Sequence, residues 1–148
     1  MHTTTATPQS IPLPSPVAGP QPRRWAHRAG GILSALPAAF LAFDGIIKLV
    51  KIQPVTESMA RLGYPDHLSR GIGLLELCCL ALYLVPRWSV LGATLLTGFL
   101  GGAVSTHLRV GDPLGSHVLF PIYIATLLWA GLWLRDARVR ALVKGVVR

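Results

Sequence analysis

The apolar residues of this 148-residue chain fall into four blocks, at about 30–52, 68–86, 88–108 and 116–134, and most charged residues lie between or beyond them. Blocks of roughly 20 residues rising 1.5 Å each match about 30 Å of hydrocarbon, whereas the helix of a soluble protein carries a polar face every 3.6 residues. Four transmembrane helices are therefore predicted. Lipid offers no partner to a free backbone group, and the alternation of a membrane barrel does not appear. The expected fold is all-α, a four-transmembrane-helix bundle. Pro37 and Pro121 fall inside the first and fourth blocks, where each is expected to kink its helix locally. Between the first two blocks, residues 53–67 suit one or two amphipathic turns ending near Gly63, and Pro86-Arg87 reads as a tight hairpin.

What precedes the first block is different in kind. Pro8, Pro12, Pro14, Pro16, Pro20 and Pro22 stand among Ser, Thr, Gln and Gly, a composition that buries too little surface to order itself. Three regions are expected: a disordered Pro-rich tail over 1–28, a membrane domain over 29–136 and a basic tail over 137–148. The start lacks the apolar stretch that follows the basic start of a signal peptide.

Composition agrees with the pattern, since 51% of residues are hydrophobic and 14% charged against about 25% in an ordinary soluble domain. The net charge of +8 alone would admit a nucleic-acid partner, but no basic stripe interleaved with aromatics exists. The basic residues instead flank the blocks. Arg23, Arg24, Arg28, Arg87, Arg135, Arg138, Arg140, Lys144 and Arg148, nine in all, fall on one side; Lys51, Arg61, Arg70 and Arg109, four, fall on the other. The positive-inside rule then places both termini in the cytoplasm of a multi-pass cell-membrane protein. Trp25, Trp88, Trp129 and Trp133 lie near the predicted cytoplasmic ends, where amphipathic rings anchor in the headgroup zone.

An ionised side chain inside a span costs roughly 2.5–3.5 kcal/mol on insertion scales, so the few present here need compensation. Asp44 and Lys48 are four residues apart and share a helix face, with the acid on the favourable N-terminal side. Glu76 in the second block, His107 and Arg109 at the end of the third and His117 at the start of the fourth fall at comparable depth in the outer half of the membrane. Two readings stay open. These residues line a pocket open to the outer face, rimmed by Arg109 and His117, or they form a buried network that sets helix register, with Asp44 paired to Lys48 and Glu76 to His107 or Arg109. Neither the two histidines nor the scattered acids have a metal-site spacing, and no metal is expected.

Small residues give a further signal. Thr94, Gly98, Gly102 and Thr106 recur every four positions, and Gly98 with Gly102 makes the small-x-x-x-small spacing that lets helix backbones approach, either inside the bundle or between two copies. Cys78 and Cys79 are adjacent within an apolar run and read as small buried hydrophobes, since no Cys-x-x-Cys spacing occurs.

The segments Asp44-Gly45-Ile46-Ile47-Lys48-Leu49, Arg61-Leu62-Gly63-Tyr64-Pro65 and Gly73-Leu74-Leu75-Glu76-Leu77, and above all the run from Leu96 through Gly98, Gly101, Gly102 and His107 to Arg109, resemble the DoxX-like family of small four-span membrane proteins. The likeness covers roughly residues 30–134 and carries the fold. It implies little about activity. A relative of the membrane subunit of thiosulfate:quinone oxidoreductase gives the family its name, so quinone is the one cofactor the resemblance admits, and otherwise none is expected. Three functions are consistent with these observations. The first is a non-catalytic component binding a small molecule, lipid or partner in the outer polar pocket. The second is a quinone-linked oxidoreductase subunit using His107 and Glu76 to move protons, with another membrane or redox protein as partner. The third is a small transporter or proton pathway. The lipid bilayer is a partner in all three.

Overall fold

The computed structural model describes residues 24–146, and among them all regular structure is helical. The elements are α1 (Arg24–Val50), α2 (Gln53–Arg61), α3 (Leu68–Leu84), α4 (Ser89–Arg109), a π-helical turn (Leu114–Val118), α5 (Phe120–Arg135) and α6 (Ala137–Val146). Most of the expected N-terminal tail lies outside the described residues. The expected basic tail is helical over its described part, because Asp136 accepts the Arg138 backbone N–H and so caps α6.

Helices α1, α3, α4 and α5 form a ring in which α1 packs on α3 and α5, and α4 on the same two neighbours. Inside the ring stand Leu41, Leu80, Tyr83, Ala93, Leu96, Leu128 and Leu132, each at most 3% exposed. Outside it Ile32, Leu36, Phe43, Ile46, Leu74, Leu75 and Ile122 are exposed. So large an apolar surface is incompatible with water and natural in lipid. Three stretches, His27–Val50, Ser89–Arg109 and Leu114–Arg135, are long and apolar enough to cross a membrane. The second expected span, α3, is shorter at 17 residues.

Glycines set the spacing of three of the four seams. A Cβ on Gly73 of α3 would stand 2.7 Å from the Gly45 carbonyl oxygen of α1, and one on Gly30 of α1 would stand 2.8 Å from Leu134 Cβ of α5. Gly92 of α4 lies directly against the Tyr83 backbone of α3. Of the two roles open to Gly98 and Gly102, packing inside the bundle is not the one seen: a Cβ on either would meet nothing within 4 Å. Both lie on the outward face of α4. The four-residue spacing identifies a smooth face without saying which way it points, and here the inward positions of α4 belong to Ala93, Leu96 and Leu100.

Pro121 also differs from expectation. It occupies the first turn of α5, preceded by the π-helical turn, so its missing N–H falls where a helix needs none.

Local chemistry accounts for the ends of the helices. Gly63 has φ +74°, its N–H donates to the Ala60 carbonyl and that of Tyr64 donates to Met59, which closes α2 in a Schellman motif where the sequence predicts its end. Gly111 (φ +73°) does the same for α4, with N–H donation from Gly111 to Leu108 and from Asp112 to His107. At the opposite end of the bundle Arg140 donates to the Trp133 and Leu134 carbonyls at 2.7 and 2.9 Å, and Arg138 donates to the Pro86 carbonyl. These guanidiniums satisfy carbonyls at the close of α3 and α5, where a helix dipole favours positive charge.

Candidate functional site

The seam between α1 and α3 carries the buried charge. Because Gly45 and Gly73 let the two helices touch, Lys48, one turn beyond Gly45, reaches Glu76, one turn beyond Gly73. Its ammonium donates to Glu76 Oε2 at 2.8 Å and to the Asp44 carboxylate on its own helix. It also lies 5.6 Å from the centroid of the Phe99 ring of α4, a cation–π contact. Ser69 donates to the Lys48 carbonyl at 3.0 Å, satisfying an acceptor in the last turn of α1. Glu76 is fully buried, Lys48 is 18% exposed and Asp44 31%. Among the described residues, Glu76 Oε1 has no hydrogen-bond partner.

A second polar group closes the same end of the molecule. The Schellman turn at Gly111 folds Asp112 back over the last turn of α4, where its Oδ2 lies 2.6 Å from His107 Nδ1. Arg61, from the end of α2, donates to both Asp112 oxygens at 2.6 and 3.4 Å. Arg109 donates to the Leu62 carbonyl, and the Tyr64 hydroxyl lies 2.8 Å from Thr106 Oγ1. The connection holding α2 is thus laced to the end of α4. The His117 ring stands edge-on to His107 with centroids 5.8 Å apart, and its Nδ1 lies 2.8 Å from Ser116 Oγ. Hydrogen bonding to His107, reinforced by Arg61, holds the Asp112 carboxyl below the usual carboxylate range.

The six residues singled out in the sequence therefore divide into two groups. Asp44, Lys48 and Glu76 form one triad, while His107 and His117 belong to the second group with Arg109 beside them. The expected Asp44–Lys48 pair is present. Glu76 pairs with Lys48 and not with His107 or Arg109, because the glycine contact brings α1 against its face of α3. His107 takes Asp112 instead, five residues away. Asp112, Arg61, Tyr64, Ser69 and Phe99 are participants that the sequence reading did not assign. Gly111 before Asp112 was the available sign, since a glycine closing a helix returns the next residue to the last turn. No group of three or more His, Cys, Asp and Glu suited to a metal occurs among the described residues.

None of these residues lines the cavity that the structure shows most clearly among the described residues. That cavity, of about 600 Å³, lies along the α4–α5 seam, lined by Thr97, Leu100, Val104, Ala125, Trp129 and Trp133 among others. Trp129 turns into this seam and donates its indole N–H to Thr97 Oγ1 at 2.9 Å, so it serves as a helix-to-helix link. Deep in the core, the Tyr83 hydroxyl lies 2.9 Å from both Ser34 Oγ and the Leu128 carbonyl. A carbonyl only accepts, so the phenol proton goes to Leu128 and the Ser34 hydroxyl can donate to Tyr83, joining α1, α3 and α5.

A ring of apolar helices with a partly buried ion triad and an outward lipid-like surface defines a helical membrane protein. The model of the DoxX-like family matches residues 32–131, and the chain belongs to that family. No curated protein and no solved structure matches it.

Proposed function

We propose that the protein is a four-span component of the cell membrane, with both termini cytoplasmic, that binds a small molecule, lipid or partner protein through its outward polar end. Treating α3 as the remaining span is supported by its place in the ring between two helices long enough to cross and by its rise of about 26 Å. The nine-to-four distribution of basic residues supports the orientation.

The observation that carries the binding reading is the arrangement around Asp112. Its carboxylate is 5% exposed, yet it holds Arg61, 53% exposed, and His107, 21% exposed. Donors fixed in place before a ligand arrives lose little freedom on binding, and Arg61 with the nearby Arg109 suits a phosphate or carboxylate. The test is native mass spectrometry of the full chain, together with thermal unfolding in nanodiscs of phosphatidylcholine with and without phosphatidylglycerol. The wild type is expected to retain anionic lipid and to unfold several degrees higher when it is present. Arg61→Ala combined with Arg109→Ala is expected to lose both effects. Equal retention and equal melting in the two proteins would overturn the reading.

A second reading, the membrane subunit of a quinone-linked oxidoreductase, is supported by the α4–α5 cavity, whose size lies in the range of small-molecule sites and whose walls include two indoles. Glu76 and His107, the residues expected to move protons in this reading, take separate partners and form no direct pair with one another. Quenching of tryptophan fluorescence by a short-chain ubiquinone, lost in Trp129→Phe with Trp133→Phe, would favour it.

A further inference from the structure

The triad on the α1–α3 seam is one positive charge short. Asp44 and Glu76 bring two carboxylates, and Lys48 brings the single ammonium that touches both. Among the described residues, no ion pair other than those with Lys48 reaches either carboxylate. From α4 the Phe99 ring covers Lys48, the next basic residue after it, Lys51, is paired with Asp66, and α3 itself brings the buried thiol of Cys79 one turn past Glu76. In hydrocarbon such a deficit is not screened by water or salt. The second sign is Glu76 Oε1, an acceptor in a fully buried side chain with no hydrogen-bond partner among the described residues, although Oε2 of the same carboxyl is bonded. A network built only to register two helices satisfies its acceptors.

We propose that the Asp44–Lys48–Glu76 triad is a binding site for one monovalent cation, a proton, shared by the two carboxyls beside Lys48. A metal cation needs several oxygen ligands at once. Here only Glu76 Oε1 and the Asp44 oxygen turned away from Lys48 are left over, and no donor cluster suited to a metal exists among the described residues. A proton needs one oxygen. Binding forms a single O–H bond on a carboxylate at the expense of one proton from water, with no electron transferred. The triad then carries a carboxylic acid, a carboxylate and an ammonium, and its net charge is zero. The site is independent of the polar end around Asp112 and stands whether or not that end binds a ligand.

Infrared spectroscopy of the full chain in phosphatidylcholine nanodiscs tests the count. At neutral pH the wild type is expected to show the C=O stretch of one protonated carboxylic acid, which gives way to carboxylate bands on alkaline titration. Removing either acid leaves a balanced pair, so Glu76→Gln and Asp44→Asn are each expected to abolish the band, whereas Asp112→Asn leaves it unchanged. Absence of the band in the wild type, or its survival in Asp44→Asn, would overturn the proposal. So would its loss when sodium replaces choline at constant pH, which would make the site one for a metal cation. Should Glu76→Gln fail to fold, Asp44→Asn and the wild-type titration still decide the outcome.

Discussion

Two seams of the ring are built on opposite principles. Between α1 and α3, glycines let the backbones touch, and the contact is closed by a partly buried ammonium between two acids. Between α4 and α5 runs a cavity of about 600 Å³, bridged by the Trp129–Thr97 hydrogen bond. Helix α4 is itself rich in glycine, with Gly98, Gly101 and Gly102, yet none of the three brings a neighbouring helix into contact. A glycine draws helices together only where it faces a partner, and its spacing alone does not reveal the direction it faces. The closed seam places reactive groups, and the open one leaves room.

Breaking the closed seam at its charge should give the largest effect. Lys48→Met strands two acids against each other and is expected to cost about 3–5 kcal/mol, the range for removing one partner of a buried ion pair. Equilibrium unfolding in mixed micelles would measure it, and a loss under 1 kcal/mol would show that the triad does not hold the seam together. Next comes the glycine contact. Gly73→Ala places a methyl against the Gly45 carbonyl and is expected to cost about 1–3 kcal/mol.

A smaller effect, confined to acid, is expected at Asp112, which lies outside both seams. Its carboxyl is held below the ordinary carboxylate value by His107 and Arg61, so its contribution is complete above that ordinary value and fades as the pH falls through the lowered one. Asp112→Asn should flatten the acid limb of a melting-temperature profile while leaving the alkaline limb unchanged. The smallest effect belongs to the outward glycines. A Cβ at Gly102 meets no neighbour, and Gly102→Leu on this exposed face is expected to shift stability by no more than about 0.5 kcal/mol. If it instead converted a dimer to monomers on size-exclusion chromatography, the outward face of α4 would be an interface between copies.

Much of the fold was legible because a bilayer demands long apolar runs, and α1, α4 and α5 follow the predicted blocks closely. The Asp44–Lys48 pair was legible too, since a spacing of four on one helix leaves little choice. Lys48–Glu76, separated by 28 positions, was not, because it depends on which faces of α1 and α3 meet, and two isolated glycines decide that. Nor was the role of the C-terminal arginines complete. Their number speaks for orientation, but Arg138 and Arg140 also cap helix ends, a role that depends on how the helices fold against one another.

The different sequence separations within the triad bear on how the chain enters the bilayer. Asp44 meets its counter-ion within a single turn of α1, so that helix can be inserted already neutralised. Glu76 has no basic residue within a turn of its own short helix and meets opposite charge only on α1. Synthesis from the amino terminus makes α1 first, so the cation that Glu76 requires precedes it through the translocon, and the later helix is received by the earlier one.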